Sequence, residues 1–201
     1  MIRDLLHTNQ DPYADTLRRE TLNYWTAEKL NSTKEQLACA FGRFQDHYPD
    51  SSLPQVYFYT HGYKQSLKAF PDVVMVGLDW YMGPERPYRP APRNVMPDYI
   101  LKRHQEKYLV PQIMWRYGEN FAADFEGEEN MMTDMLSWGK IYYFAEQMLP
   151  ETPDSLIIGY TKPKMGWMRK NQERVWAYFV KNQMFFEGSY RIRARFVNEA
   201  P

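Results

Sequence analysis

Apolar side chains recur at helical spacing along five stretches of this chain and alternate along two. Leu37, Phe41, Phe44 and Tyr48 stand three or four residues apart, which puts them on one face of an α-helix. Ser32-Thr33-Lys34-Glu35 ahead of them matches the S-x-x-E capping box, and Pro49 stops the run, so the pattern predicts a helix over 32–48. An earlier helix is expected over 13–29, with Leu17, Tyr24 and Trp25 inward. A third covers 108–120, with Val110, Ile113, Met114 and Tyr117 on one side. A fourth covers 129–148, ends at Pro150, and turns Met132, Met135, Leu136, Tyr142 and Tyr143 to the core. Gly139 in its middle weakens it by about 1 kcal/mol relative to Ala, which points to a close approach of another backbone there. A fifth covers 162–184, with Pro163 in its first turn and Met168, Val175, Trp176, Phe179 and Val180 inward. A short last helix follows Ser189.

The alternating segments are 55–60 and 73–80. In the first, Val56, Phe58 and Thr60 face one way, and Tyr57 and Tyr59 the other. The second, Val-Val-Met-Val-Gly-Leu-Asp-Trp, is apolar at its start. The dozen residues between them hold Gly62 and Pro71, which fits a small antiparallel sheet with helices packed on one side. The expected class is α+β, mostly helical, as one domain over 1–201. Five prolines between Gly83 and Pro97 forbid helix and sheet interior, so 83–97 is read as an extended surface loop.

Composition then narrows the function classes. The core is built from large residues: 16 Tyr, 11 Phe, 6 Trp and 12 Met. Lys+Arg and Asp+Glu balance at 25 each, which argues against nucleic acid and against a polybasic membrane patch. Arg191, Arg193 and Arg195 are read as a solvated face. Cys39 lies in the apolar run Leu37–Phe41, which predicts a small buried hydrophobe rather than a thiolate. The four histidines (His7, His47, His61 and His104) lie far apart, so H-E-x-x-H is absent; G-x-S-x-G and the phosphate-binding glycine patterns are absent too. No cofactor, catalytic residue or metal ligand is expected. Asp79, at a strand end, is read as a turn acceptor. The acids Glu119, Asp124, Glu126, Glu128 and Glu129 are read as a solvated loop and helix start. What remains is an aromatic binding surface of Tyr57, Tyr59, Trp80 and Tyr81, or a dispersed hydrolase site around His61 and Asp79.

Three stretches carry a resemblance. Leu53-Pro54-Gln55-Val56-Tyr57 leads into the first strand, Val76-Gly77-Leu78-Asp79-Trp80-Tyr81-Met82-Gly83 ends the second, and Gly139-Lys140-Ile141-Tyr142-Tyr143-Phe144 runs on to Leu149-Pro150-Glu151-Thr152-Pro153-Asp154-Ser155. With Tyr108-Leu109-Val110-Pro111 between them, they resemble the gliding motility-associated lipoprotein family GldB of the Bacteroidetes, over residues 10 to 201. The resemblance implies a periplasmic cell-envelope protein on a lipid anchor, working with gliding or secretion machinery. Met1-Ile2-Arg3-Asp4 opens no signal peptide and no lipid-acceptor cysteine follows, so the resemblance implies a C-terminal portion or a start at an internal Met. Membrane contact is then expected only through an anchor that this chain lacks. The family is also similar to zinc peptidases that carry H-E-x-x-H on one helix and a Glu before Gly on a later one. Here helix 108–120 has no His and the later slot reads Ser137-Trp138-Gly139, which implies a zincin-like scaffold without metal. The function implied is non-catalytic, through protein contacts; a degenerate or dispersed-site hydrolase is the alternative.

Overall fold

The first helix breaks where a tryptophan is pinned. In the computed structural model, which describes residues 12–83, 98–122 and 129–197, α1 (Pro12–Tyr24) and α2 (Ala27–His47) part at Trp25. Trp25 is buried, and its indole N–H donates to the Leu78 carbonyl at 3.0 Å. The N-cap of α2 is Thr26, whose hydroxyl accepts from the Lys29 N–H. The expected capping box at Ser32–Glu35 therefore falls inside a helix. There Thr33 donates its hydroxyl to the Lys29 carbonyl instead, and the helix boundary moves from 29–32 to 24–27. A single buried hydrogen bond outweighs a local capping pattern.

Three strands follow: β1 (Gln55–Tyr59), β2 (Leu67–Ala69) and β3 (Val73–Gly77), in the order β1-β3-β2. The α+β class is as expected. The sheet, however, is mixed rather than antiparallel. β1 and β3 run parallel, from Gln55 opposite Val73 to Tyr59 opposite Gly77, and only β2 is antiparallel to β3. β2 is three residues long, too short for alternation to register, yet it reverses the chain so that β3 returns alongside β1. β3 ends at Gly77 rather than at residue 80, and Leu78–Tyr81 forms a 3-10 turn.

The remaining helices are α3 (Asp98–Leu101), α4 (Glu106–Ala122), α5 (Met131–Met148), α6 (Asp154–Ile157), α7 (Lys162–Lys181) and α8 (Tyr190–Val197). α7 stops short of residue 184 because Gln183 turns left-handed at φ 54. Thr161 caps α7 and Pro163 sits in its first turn, as expected. The proline-rich segment 84–97 lies outside the described residues. No described helix is long and apolar enough to cross a membrane.

α4 and α5 form the heart of the core. Val110, Ile113, Met114 and Tyr117 of α4 are buried as expected. The close approach sits at Gly118, where a Cβ would stand 2.6 Å from the Phe144 ring, and not at Gly139, which faces open space. α5 buries Met131, Ile141, Phe144, Ala145 and Met148, while Met135, Leu136 and Tyr143 are exposed. Apolar residues fall on every side of α5, mixed with Thr133, Asp134, Ser137, Lys140, Glu146 and Gln147, so spacing does not single out its inward face. In α7 only Phe179 is buried, and Trp176 and Val180 face solvent. Cys39 is exposed rather than buried. Arg193 is no solvated residue either: it is buried, donates to Asp134 at 2.6 Å and to Glu129 at 3.2 Å, and ties α8 to the start of α5.

Candidate functional site

Because β1 and β3 are parallel, their carboxyl ends lie side by side, which is where parallel sheets place binding groups. Beyond β1 the chain turns through His61-Gly62-Tyr63-Lys64. Gly62 (φ 64) and Tyr63 (φ 57) are both left-handed, the type I′ geometry, and the Lys64 N–H donates to the His61 carbonyl. Tyr63 lacks the freedom of glycine, so its conformation costs about 1–2 kcal/mol that neighbours must offset.

Asp79 supplies the offset from the end of β3. Its carboxylate Oδ2 accepts the His61 N–H at 3.2 Å and the Tyr63 N–H at 2.9 Å. The residue is 1% exposed, and among the described residues its Oδ1 has no hydrogen-bond partner. Burial pushes the Asp79 carboxyl above its ordinary value, against the pull of the Tyr63, His61 and Asp79 N–H groups and of the His61 charge. Asp79 is thus the turn acceptor the sequence suggests, and it binds two loops into one unit.

Around this unit the rings interlock. Trp80 meets Tyr63 edge-on at 5.8 Å and His104 at 5.1 Å; Tyr81 meets His104 at 5.6 Å. His104 Nδ1 is 3.0 Å from the Ile100 carbonyl, which can only accept, so that nitrogen carries the proton. Burial lowers the His104 pKa; the bond to Ile100 opposes this and the Arg103 charge adds to it. Tyr81 is wholly buried, its hydroxyl donating to Gln112 Oε1 at 2.8 Å, and Gln112 donates in turn to the Arg103 carbonyl.

The structure therefore divides the six candidate residues. Tyr57, Tyr59 and His61 are half-buried, and Tyr59 meets His61 at 5.7 Å between ring centres. Burial, then the Asp79 charge, raises the Tyr59 pKa. Trp80 is half-buried against its neighbours. Asp79 and Tyr81 are internal supports, so they cannot line an accessible surface. His61 and Asp79 do come together, but through the His61 main-chain N–H. Trp25, His104 and Gln112 also hold this end of the sheet. Only Trp25 had a signal, as an inward helix residue; isolated polar residues such as His104 and Gln112 show no spacing to read.

Away from this unit, a concavity of about 970 Å³ lies between α1, α2 and α4, lined by Tyr24, Thr33, Gln36, Glu106, Val110 and Leu156 among others. Lys29 pairs with Glu106 at 3.0 Å and lies 3.6 Å over the Tyr24 ring. Burial would lower the Lys29 pKa, but its contacts with Glu106 and Tyr24 outweigh it and raise the value. Among the described residues no three His, Cys, Asp or Glu side chains are grouped to hold a metal ion.

The raised Asp79 carboxyl has a measurable consequence. A group whose folded pKa lies above the unfolded 3.8 binds more protons in the folded state, so stability falls as pH rises from that value through the raised one. Asp79→Asn keeps an acceptor for the two N–H groups and cannot ionise. Urea titrations at about pH 4 and about pH 7 should show the parent losing stability relative to the variant at the higher pH. Parallel pH dependence in the two proteins would contradict the burial of a charged Asp79.

Comparison with known proteins agrees with the resemblance in the motifs. No curated protein and no solved structure matches this chain. A family model described as gliding motility protein GldB matches residues 1–201, the whole chain. This protein belongs to the GldB gliding motility family.

Proposed function

We propose that this protein is a non-catalytic component of the cell envelope, on the periplasmic side, that serves gliding motility through contacts with other proteins of the machinery. The observation that supports this reading is the edge of the sheet. β1 is an outer strand, and its outward face presents Tyr57 and Tyr59, with His61 just beyond. An outer strand offers main-chain donors and acceptors to an incoming strand. Tyrosine adds a large apolar body with a polar tip, the residue type that anchors protein interfaces.

The competing reading is a hydrolase at His61 and Asp79. A general-base pair needs a carboxylate against an imidazole ring, whereas Asp79 is engaged by main-chain N–H groups of the turn it holds. A kinship with zinc peptidases fares no better as a route to catalysis. The inner face of α4 is filled by Leu109, Ile113, Met114 and Tyr117, and Trp115 of α4 packs on Trp138 of α5 at 5.8 Å.

The test is complementation of a strain that lacks the gene. Tyr57→Ser with Tyr59→Ser should abolish rescue of gliding while the circular dichroism spectrum stays that of the parent. His61→Ala should rescue normally. Loss of rescue in His61→Ala, with rescue intact in the tyrosine variant, would favour the hydrolase.

A further inference from the structure

The balanced total charge conceals a separation along the chain. Residues 162–197 hold nine Lys and Arg against two Glu, a surplus of seven positive charges in a chain whose net charge is zero. This segment forms α7 and α8, which carry the exposed aromatic residues Trp167, Trp176, Tyr178, Tyr190 and Phe196. Trp167 is 56% exposed and Tyr178 is 53% exposed.

On α7 these two features coincide. Trp167, Lys170, Arg174, Tyr178 and Lys181 follow at intervals of three and four residues, so they lie on one stripe of the helix, and every one of them is exposed. The stripe is about 20 Å long at 1.5 Å per residue. Phe179, with Val175 beside it, faces the other way, into a small cluster with Met131 and Phe185. The core-facing side is thus already occupied, and the stripe is a second, outward face.

We propose that this stripe of α7 rests on an anionic phospholipid bilayer, with Trp167 and Tyr178 at the headgroup level and Lys170, Arg174 and Lys181 against the lipid phosphates. Charge complementarity chooses the occupant: a strongly basic segment of an otherwise acidic chain seeks an anionic surface. Indole and phenol rings are the side chains that settle at the water–lipid interface, and long basic side chains reach from there to phosphates. The acidic remainder of the molecule would be repelled by the same surface, so the charge separation also sets which side of the protein faces the bilayer. The contact is independent of any covalent lipid and of the protein-binding role proposed for β1.

The experiment is vesicle sedimentation of the full chain with phosphatidylglycerol–phosphatidylcholine vesicles, in parallel with pure phosphatidylcholine vesicles. Binding should require phosphatidylglycerol, fall with added salt, and shift tryptophan emission to the blue. Lys170→Gln, Arg174→Gln and Lys181→Gln combined should lower the partition coefficient by about a hundredfold, at roughly fivefold per charge. Trp167→Ala with Tyr178→Ala should weaken binding and remove most of the blue shift. All five positions are exposed, so the variants should keep the parent's circular dichroism spectrum, whose retention makes the comparison valid. Absence of binding to the anionic vesicles, or binding unchanged by the triple variant, would overturn the proposal. The first of these outcomes would leave the stripe to an acidic protein. The β1 variants leave α7 unchanged and the vesicle assay does not read β1, so the two proposals can fail separately.

Discussion

Phe44→Ala should cost about 4 kcal/mol of stability, near the top of the range for emptying a core aromatic site. Phe44 is fully buried, and its ring meets those of Tyr117 at 5.3 Å, Phe121 at 5.1 Å, Phe144 at 6.1 Å and Tyr48 at 4.9 Å. Those partners belong to α4, to α5 and to the end of α2, so one side chain joins three helices. The neighbours cannot collapse into the space easily. Tyr117 is held by its hydroxyl, which donates to the Pro71 carbonyl, and Phe144 is wedged against Gly118. Most of the cavity should therefore persist. A domain stabilised by about 5–15 kcal/mol would lose a large fraction of its margin. Urea denaturation should show the midpoint falling with little change in slope. A loss below about 1 kcal/mol would mean that the three helices do not meet at this ring.

Gly77→Ala should be the next most damaging change, at about 3 kcal/mol, and for a different reason. Gly77 ends the central strand with an ordinary φ of −79, so the demand for glycine is steric. A Cβ there would collide with the Gln65 carbonyl oxygen and stand 3.1 Å from Asp79 Oδ1. Neither can step aside. The Gly77 N–H donates to the Ser66 carbonyl at 2.8 Å, and Asp79 is held by the His61 and Tyr63 N–H groups. The added methyl would push β3 from β2 and loosen the turn at His61 together. Gly139→Ala is the internal control. Open space surrounds Gly139 on the exposed side of α5, so this change should stabilise the protein by up to about 1 kcal/mol through helix propensity. Similar effects for the two glycines, measured by the same denaturation, would contradict the packing described at the end of β3.

Legibility in the sequence followed the contrast between apolar and polar faces. α4 alternates cleanly, and all four of its expected inward residues are buried. In α5 apolar and polar residues are mixed on every side of the helix, so spacing selects Met132, Met135, Leu136, Tyr142 and Tyr143, of which the structure half-buries Met132 and Tyr142 and exposes the other three. Cys39 failed for a related reason: an apolar neighbourhood in sequence places a residue on a helix but not on its inward side. The break between α1 and α2 was hidden because it depends on the bond from Trp25 to Leu78, 53 residues away. The parallel pairing of β1 and β3 was hidden because it depends on the three-residue strand β2. The same long-range pairing decides the candidate site. Asp79 was legible as an acceptor at a strand end, but not its partners, since only the parallel register carries it to the turn beyond β1. The charge surplus of α7 and α8 was present in the letters and masked by the balanced total.

The role proposed above is that of a scaffold for contacts and not of a catalyst. It is tested most directly by elemental analysis for zinc on the purified full chain, paired with a peptidase assay on the same sample. The expected result is zinc well below one per chain and no hydrolysis above the buffer control. Stoichiometric zinc together with peptidase activity that a chelator removes would contradict it.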